Sequence, residues 1–364
     1  MKISELTKAL ELLAPPDLQE EYDNAGLIIG QEDREIDGCL VCLDVTEDVI
    51  DEAVRKDCGL VISHHPLIFS PIRRLTGRTM AEKLVVKAIK NETAIYSAHT
   101  NLDNISHGVN EILGSKLGLT KLKILSRKRG ALKKLVTFCP EDHAGKVRDA
   151  IFHAGAGHIG EYDQCSFNAE GLGSFRGGDA TNPFVGKKGE VHFEKEIRIE
   201  TIFPAWLEKP VLRALLDAHP YEEVAYDIYF LDNLYDKAGA GMIGELPAEM
   251  LLGEFLQMMK EALQIPYLRH SQPTGKNVRK VAVCGGAGSF LIPEATRQQA
   301  DVFVSADIKY HFFQEAVGKL VIIDAGHFET EQFTCELIAG YLIEKFPNFA
   351  VLISENLINP VNYF

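Results

Sequence analysis

Two adjacent histidines, in Val61-Ile62-Ser63-His64-His65-Pro66, are the first residues whose types and spacing suggest chemistry. An apolar strand ending in paired imidazoles would deliver neutral nitrogen donors to the carboxyl edge of a sheet, where open α/β proteins bind ligands. On extended backbone the two rings point to opposite sides, so they could serve two metal ions, or one metal and one substrate. A second segment, His99-Thr100-Asn101-Leu102-Asp103, follows the apolar run 94–97. It offers a nitrogen and an oxygen ligand, or a base with its orienting carboxylate; as a helix N-cap, Asp103 would be purely structural. The third, Asp324-Ala325-Gly326-His327-Phe328-Glu329-Thr330-Glu331, turns at Gly326 after another apolar run. His327 and Glu331, at i and i+4, would share one face of the helix that follows. Three mixed imidazole and carboxylate clusters, each at a strand end, jointly point to a site for borderline divalent ions.

The elements that must position these residues alternate. Apolar runs at 39–43, 60–62 and 94–97 are separated by helical patterns at 47–56 and 80–90, and runs at 280–284, 302–305 and 320–324 repeat the arrangement. This alternation predicts an α/β fold with layered sheets. The two regions also share an offset: Cys42 precedes Ser63 by 21 residues and Cys284 precedes Ser305 by the same distance. His99 and Asp103 in the first region answer to His327 and Glu331 in the second. We read an ancient duplication that gives two similar halves of one discontinuous domain. Between them, strands at 132–140, 163–169, 192–203 and 225–231 and helices at 141–153 and 206–219 give the order βαββαβ of a ferredoxin-like module. The Gly-rich stretch 171–190 then forms a long hairpin excursion. The expected boundaries are 1–127 and 234–364 for the metal-binding halves and 128–233 for the inserted domain.

The 364 residues carry 38 Lys and Arg against 52 Asp and Glu, a net charge of −14, which works against broad binding to nucleic-acid backbones. A small phosphorylated ligand stays open. No apolar run approaches the roughly 20 residues of a membrane span. The N-terminal stripe Ile3, Leu6, Ala9, Leu10, Leu13 reads as an amphipathic helix ended by Pro15 and Pro16, without an apolar leader, so the expected location is cytoplasmic. Seven scattered cysteines fit that setting, and Cys39-x-x-Cys42 reads as core thiols because no second pair completes a zinc site. Cys284-Gly-Gly-Ala-Gly-Ser289 reads as a Gly-rich turn in preference to a phosphate cradle, and the basic stretch from Lys121 to Lys134 as a solvated hinge.

Five ordered segments, EEYDNAGLIIG (20–30), ISHHPLIF (62–69), SAHTNLDN (97–104), SADIKYH (305–311) and AGHFETE (325–331), resemble the signature segments of the GTP cyclohydrolase 1 type 2 homolog, or NIF-three-like, family. The insert resembles the CutA-like and PII-like insert of longer members. The resemblance implies two divalent ions per chain, of zinc, iron or manganese, on His64, His65, Asp103, His327 and Glu331, with Glu331 bridging. It also implies a homohexameric toroid with the sites facing an inner cavity. His99, His311 and Asp307 become candidates for proton transfer or ligand orientation, with a helix-surface position equally open for His311. Where this chain has Ala306 the family usually has Gly, which would leave the backbone there less free. The function implied is metal-dependent hydrolysis of a purine nucleotide or a related ring or ester, such as attack at C8 of GTP with eventual loss of formate. The alternative is a non-catalytic metal-binding or regulatory protein whose insert senses a ligand.

Overall fold

Strand Leu60–Ser63, which carries the histidine pair at its end, is buried at every position, as a continuous apolar run requires of a strand covered on both faces. In the computed structural model, which describes residues 1–362, it is the middle strand of a five-stranded sheet. The order is Gly26–Ile29, Ala94–Ser97, Leu60–Ser63, Gly38–Cys42, Ala350–Ile353. The last four run parallel, and Gly26–Ile29 closes one edge antiparallel. Cys42, Ser63 and Ser97 stand in register. The residues just after them, Asp44, His64 with His65, and His99, therefore emerge at one carboxyl edge. Helix Glu47–Arg55 begins where Thr46 Oγ1 accepts from Val49 N at 3.2 Å, an N-cap of the kind worth about 1 kcal/mol. Its Val49, Ile50 and Ala53 pack on Leu40, Val61 and Ile95 of the sheet.

A six-stranded sheet supplies the third cluster. Its order is Arg269–His270, Val321–Asp324, Val302–Ser305, Val278–Val283, Tyr235–Met250, Thr120–Lys128. The three strands between 278 and 324 run parallel, with Ser305 level with Asp324; antiparallel strands flank them. Thus Gly286, Asp307 and His327 also leave a common carboxyl edge.

The chain divides into two compact units, Met1–Arg127 with the residues from Lys237 onward, and Lys128–Asp236. In the second, four antiparallel strands lie in the order Phe167–Arg176, Val191–Pro204, Leu132–Pro140, Tyr226–Leu231. Helices Ala144–His153 and Glu208–Ala218 share its core through Val147, Ile151, Val211 and Leu215, against Leu135, Ile199 and Phe203.

Two expectations need correction. The strand expected at 163–169 runs from Phe167 to Arg176. Gly171 and Gly173 therefore belong to it, because ten cross-strand partners on Val191–Pro204 offset their weak strand preference. The basic stretch, expected as a hinge, is strand over most of its length, and the boundary between the two units falls within it at Arg127 and Lys128. Lys121, Lys123 and Arg127 lie on the edge strand Thr120–Lys128, whose Ile124 and Leu125 are buried while the charges face out. Its partner Tyr235–Met250 was hidden by its glycines. A Cβ on Gly239, at φ +151°, would stand 2.1 Å from Ser126 O, so only glycine lets the two strands approach.

Among the described residues no helix is long and apolar enough to cross a membrane. All seven cysteines are free, Cys39 and Cys42 included, and all but Cys165 are buried.

Candidate metal centre

The site begins at the end of strand Leu60–Ser63. Ser63 Oγ donates to His65 O at 2.8 Å and pairs with Ser97 Oγ at 2.9 Å, which bends the chain out of the strand. The two rings consequently do not point to opposite sides; their centroids lie 5.0 Å apart. His64 is fully buried, and its Nδ1 meets the carbonyl oxygen of Ala98 at 2.8 Å. His65 Nδ1 meets Asp44 Oδ1 at 2.8 Å, and His327 Nδ1 meets Asp307 Oδ2 at 2.7 Å. An oxygen acceptor therefore holds Nδ1 of all three rings and leaves each Nε2 as the atom that could bind a metal, the arrangement that orients histidine ligands.

Those three nitrogens converge on Glu331. Its Oε2 lies 3.0 Å from His65 Nε2 and 3.1 Å from His327 Nε2, and the two nitrogens are 3.3 Å apart. Its Oε1 lies 3.8 Å from His64 Nε2, which is 3.7 Å from Asp103 Oδ1. His64 Nε2 and Asp103 Oδ1 are buried and have no hydrogen-bond partner. Burial of such polar atoms without a partner costs about 1–3 kcal/mol each. Two ligand atoms about 2.1 Å from a tetrahedral ion stand about 3.4 Å apart, within the range found here, so the donors fit divalent ions. Nitrogen and carboxylate oxygen suit zinc, iron or manganese.

Without an ion, protons fill the cluster. Burial opposes a charged His65, but hydrogen bonds to Asp44 and Glu331 outweigh it and push its pKa up to about 10. For His327 the Glu331 hydrogen bond dominates and takes it to about 9. Burial would raise the Glu331 carboxyl, yet three imidazoles hold it well below the usual carboxylate range. Asp103 goes the other way, raised mainly by burial.

Glycine shapes the lid over this carboxylate. Gly286, at φ +60°, would place a Cβ 2.2 Å from Glu331 Oε1. The Gly-rich turn after Val278–Val283 thus packs on the centre itself, and Gly286 N donates to Thr330 Oγ1 at 3.0 Å.

A profile of the Duf34/NIF3 (NGG1p interacting factor 3) family matches residues 1–360. The chain belongs to the Duf34/NIF3 family. Its relatives include proteins named GTP cyclohydrolase 1 type 2 homolog. The one from Bacillus subtilis is 38% identical over 365 residues, spanning 99% of this chain and 98% of that protein. The one from Halalkalibacterium halodurans is 41% identical over 332 residues, spanning 90% and 89%. A crystal structure of a Bacillus cereus protein related to NIF3 superposes with a TM-score of 0.86 at 38% identity, covering 100% of this chain and 99% of that one. A Staphylococcus aureus protein gives 0.78 at 29% identity, with the same coverage.

Within this Duf34/NIF3 chain the structure brings His64, His65, Asp103, His327 and Glu331 together and adds His99. The ring nitrogens of His64, His65 and His99 lie within 4.8 Å of one another, and His99 Nδ1 meets Asp23 Oδ1 at 2.8 Å. Burial would raise the Asp23 carboxyl, but His99 and Thr100 lower it to about 2. Asp103 closes the short helix Thr100–Asp103, so it is not an N-cap. Asp307, at φ +54°, orients His327. Ala306 is fully buried with its N–H on Gly286 O at 2.8 Å, and it is not among the positive-φ residues, so glycine is not required there. His311 is exposed on helix Tyr310–Glu315 against the Tyr310 ring and lines neither cavity beside the cluster. Reading the sequence for chemistry missed Asp44 and Asp23. Asp44 stands just past a strand end, the position that singled out the histidines, and Asp23 sits inside the EEYDNAGLIIG segment.

The cluster opens into a cavity of about 600 Å³, with Tyr22, Phe69, Met80 and Phe290 among its walls. His99 also lines it, its ring edge-on to Phe69 at 5.6 Å.

Proposed function

We propose that the cluster holds two divalent ions, one on each oxygen of Glu331, and that the chain is a hydrolase acting on a purine nucleotide or a related ring or ester. The observation that carries this reading is the tautomer lock: three Nδ1 atoms held by oxygen acceptors, with three Nε2 atoms facing one carboxylate. His64, Asp103 and Glu331 Oε1 would hold one ion, and His65, His327 and Glu331 Oε2 the other. Divalent ions so placed supply Lewis acidity and make water nucleophilic near neutral pH. Asp44 and Asp307 keep the His65 and His327 rings aimed. With Nδ1 committed to Asp23, His99 presents Nε2 to the cavity and is placed to take a proton from an attacking water or pass one to the leaving group.

The relatives' name, the GTP cyclohydrolase 1 type 2 homologs, supports a purine nucleotide as substrate. In the unit Lys128–Asp236 the first and third strands in chain order are central and both helices share one core, which supports reading it as a ferredoxin-like inserted domain, placed at 128–233. The matching parallel strands of the two sheets support the duplicated halves. A homohexamer in the cytoplasm completes the reading, the first from the family resemblance and the second in agreement with seven unpaired thiols.

The test joins metal analysis to a hydrolysis screen of nucleotides and phosphoesters. Metal-loaded protein should turn over a substrate, and chelation should abolish it. His99→Gln should keep both ions while lowering the rate about 10²–10⁴-fold, the usual worth of a positioned proton carrier. Two ions with no metal-dependent turnover would leave a metal-binding or regulatory protein.

A further inference from the structure

The loop that leaves the histidine pair, residues 66–79, carries Arg73 and Arg74. Both are exposed and line a second cavity of about 570 Å³ together with Ser70 and Thr79. This cavity shares Leu67, Phe69 and Ala81 with the cavity of the metal centre, so the two are contiguous. Among the described residues neither guanidinium has an ion-pair or hydrogen-bond partner. The carboxylate nearest to serving as one, Glu82 in the same lining, is already engaged. Its Oε2 accepts from Thr76 N at 2.9 Å, Thr76 Oγ1 at 2.8 Å and Arg78 N at 3.1 Å. Those bonds also tie the end of the loop to helix Met80–Lys90, so the arginines ride on a braced segment.

The metal-centre cavity has the opposite charge. Its described lining contains no Lys or Arg, while Glu20, Asp44, Asp103 and Glu331 face into it. With Asp23 and Asp307 behind the histidines, these carboxylates exceed what two divalent ions would neutralise. A phosphorylated tail cannot settle among them, but it can lie over two free guanidinium groups, whose planar forks match phosphate oxygens.

We propose that Arg73 and Arg74 form a phosphate subsite contiguous with the metal centre, so that the substrate is a ring bearing a phosphate ester. The ring sits at the histidines against Phe69 and the phosphate on the arginines. The assignment of the ring end rests on the hydrolase reading; the phosphate end does not.

The experiment is calorimetric titration of the metal-loaded full chain with guanosine and with guanosine 5′-monophosphate. The monophosphate should bind about tenfold tighter at low salt, with the advantage shrinking as salt rises. The double variant Arg73→Ala, Arg74→Ala should lose that advantage while keeping guanosine affinity and metal content, and the double Lys variant should keep part of it. Equal affinities in the unaltered protein, or an advantage that survives in the double Ala variant, would overturn the proposal. An arginine-dependent advantage in a protein that hydrolyses nothing in the nucleotide and phosphoester screen would leave the subsite standing and remove the hydrolase reading. Equal hydrolysis of both compounds, with no arginine dependence, would do the reverse.

Discussion

The two oxygens of Glu331 meet unlike surroundings. Beside Oε1, His64 has no exposed surface, and its 3.7–3.8 Å separations leave His64 Nε2 and Asp103 Oδ1 without partners. Beside Oε2, His65 and His327 keep 16% and 38% of their side-chain surface exposed and close to 3.0 and 3.1 Å, where protons satisfy them. On the Oε1 side a backbone carbonyl, Ala98 O, fixes the fully buried His64 ring, and a buried Asp103 Oδ1 faces it, although the Asp103 side chain keeps 23% of its surface exposed. We therefore expect the Oε1 side to hold its ion tightly with slow exchange, and the Oε2 side to exchange readily and face the substrate.

The largest effect belongs to the residue common to both sides. Glu331→Gln keeps the volume but removes the charge, so the ion count should fall to one or none. Activity should drop by more than the about 100-fold that loss of an outer-shell partner costs. Removal of single ligands separates the sides: His64→Ala should lose the ion that survives mild chelation in the unaltered protein, whereas His327→Ala should lose only the ion that a mild chelator strips first. Equal chelator sensitivity in the two variants would erase the distinction. Ion entry on the Oε2 side also displaces protons, because His65 and His327 sit at about 10 and about 9 without metal. Affinity there should weaken as pH falls through about 10 and more steeply below about 9, and binding heats should depend on the buffer. The stability those protonated rings lend the metal-free protein is full below the ordinary histidine value and disappears as pH rises through about 9 to about 10. Next come the orienting carboxylates: Asp44→Asn and Asp307→Asn should each weaken the Oε2-side ion about 10–100-fold and leave the other unchanged.

The smallest expected effect on metal, none, is at Glu52. This buried carboxylate is satisfied by protein donors alone: Lys56 Nζ at 2.8 Å, Ser354 Oγ at 2.6 Å, Glu355 N at 3.0 Å and Asn356 Nδ2 at 2.8 Å. Burial raises its pKa, but these bonds outweigh it and lower the value to about 2. Its contribution is thus complete above the ordinary Glu range and is lost as pH falls through about 2. Glu52→Gln should cost about 1–3 kcal/mol in denaturant unfolding at pH 7, fading toward pH 2, with ion content unchanged.

The difference between the two sides of Glu331 was not legible in the sequence, although the residues were. His64, His65, Asp103, His327 and Glu331 stood out because each follows an apolar run short enough to be a buried strand. Which oxygen each would face depends on two sheets ending at a common place, and no local pattern encodes that. Asp44 escaped because CLVCLD reads as one buried strand, though Asp44 lies two residues beyond its end. Asp23 escaped because it precedes His99 by 76 residues. The parallel strands were legible from their unbroken hydrophobicity, but the edge strand Thr120–Lys128 was not: lysines alternate with Leu122, Ile124 and Leu125, and half-exposed edges keep the charges that buried strands exclude.

The central claim, two ions divided by one carboxylate, is tested most directly by anomalous scattering from crystals of the metal-loaded protein. The account predicts two peaks about 3.5–4 Å apart, one among His64, Asp103 and Glu331 Oε1 and one among His65, His327 and Glu331 Oε2. A single peak, or none beside His64 and Asp103, would contradict it.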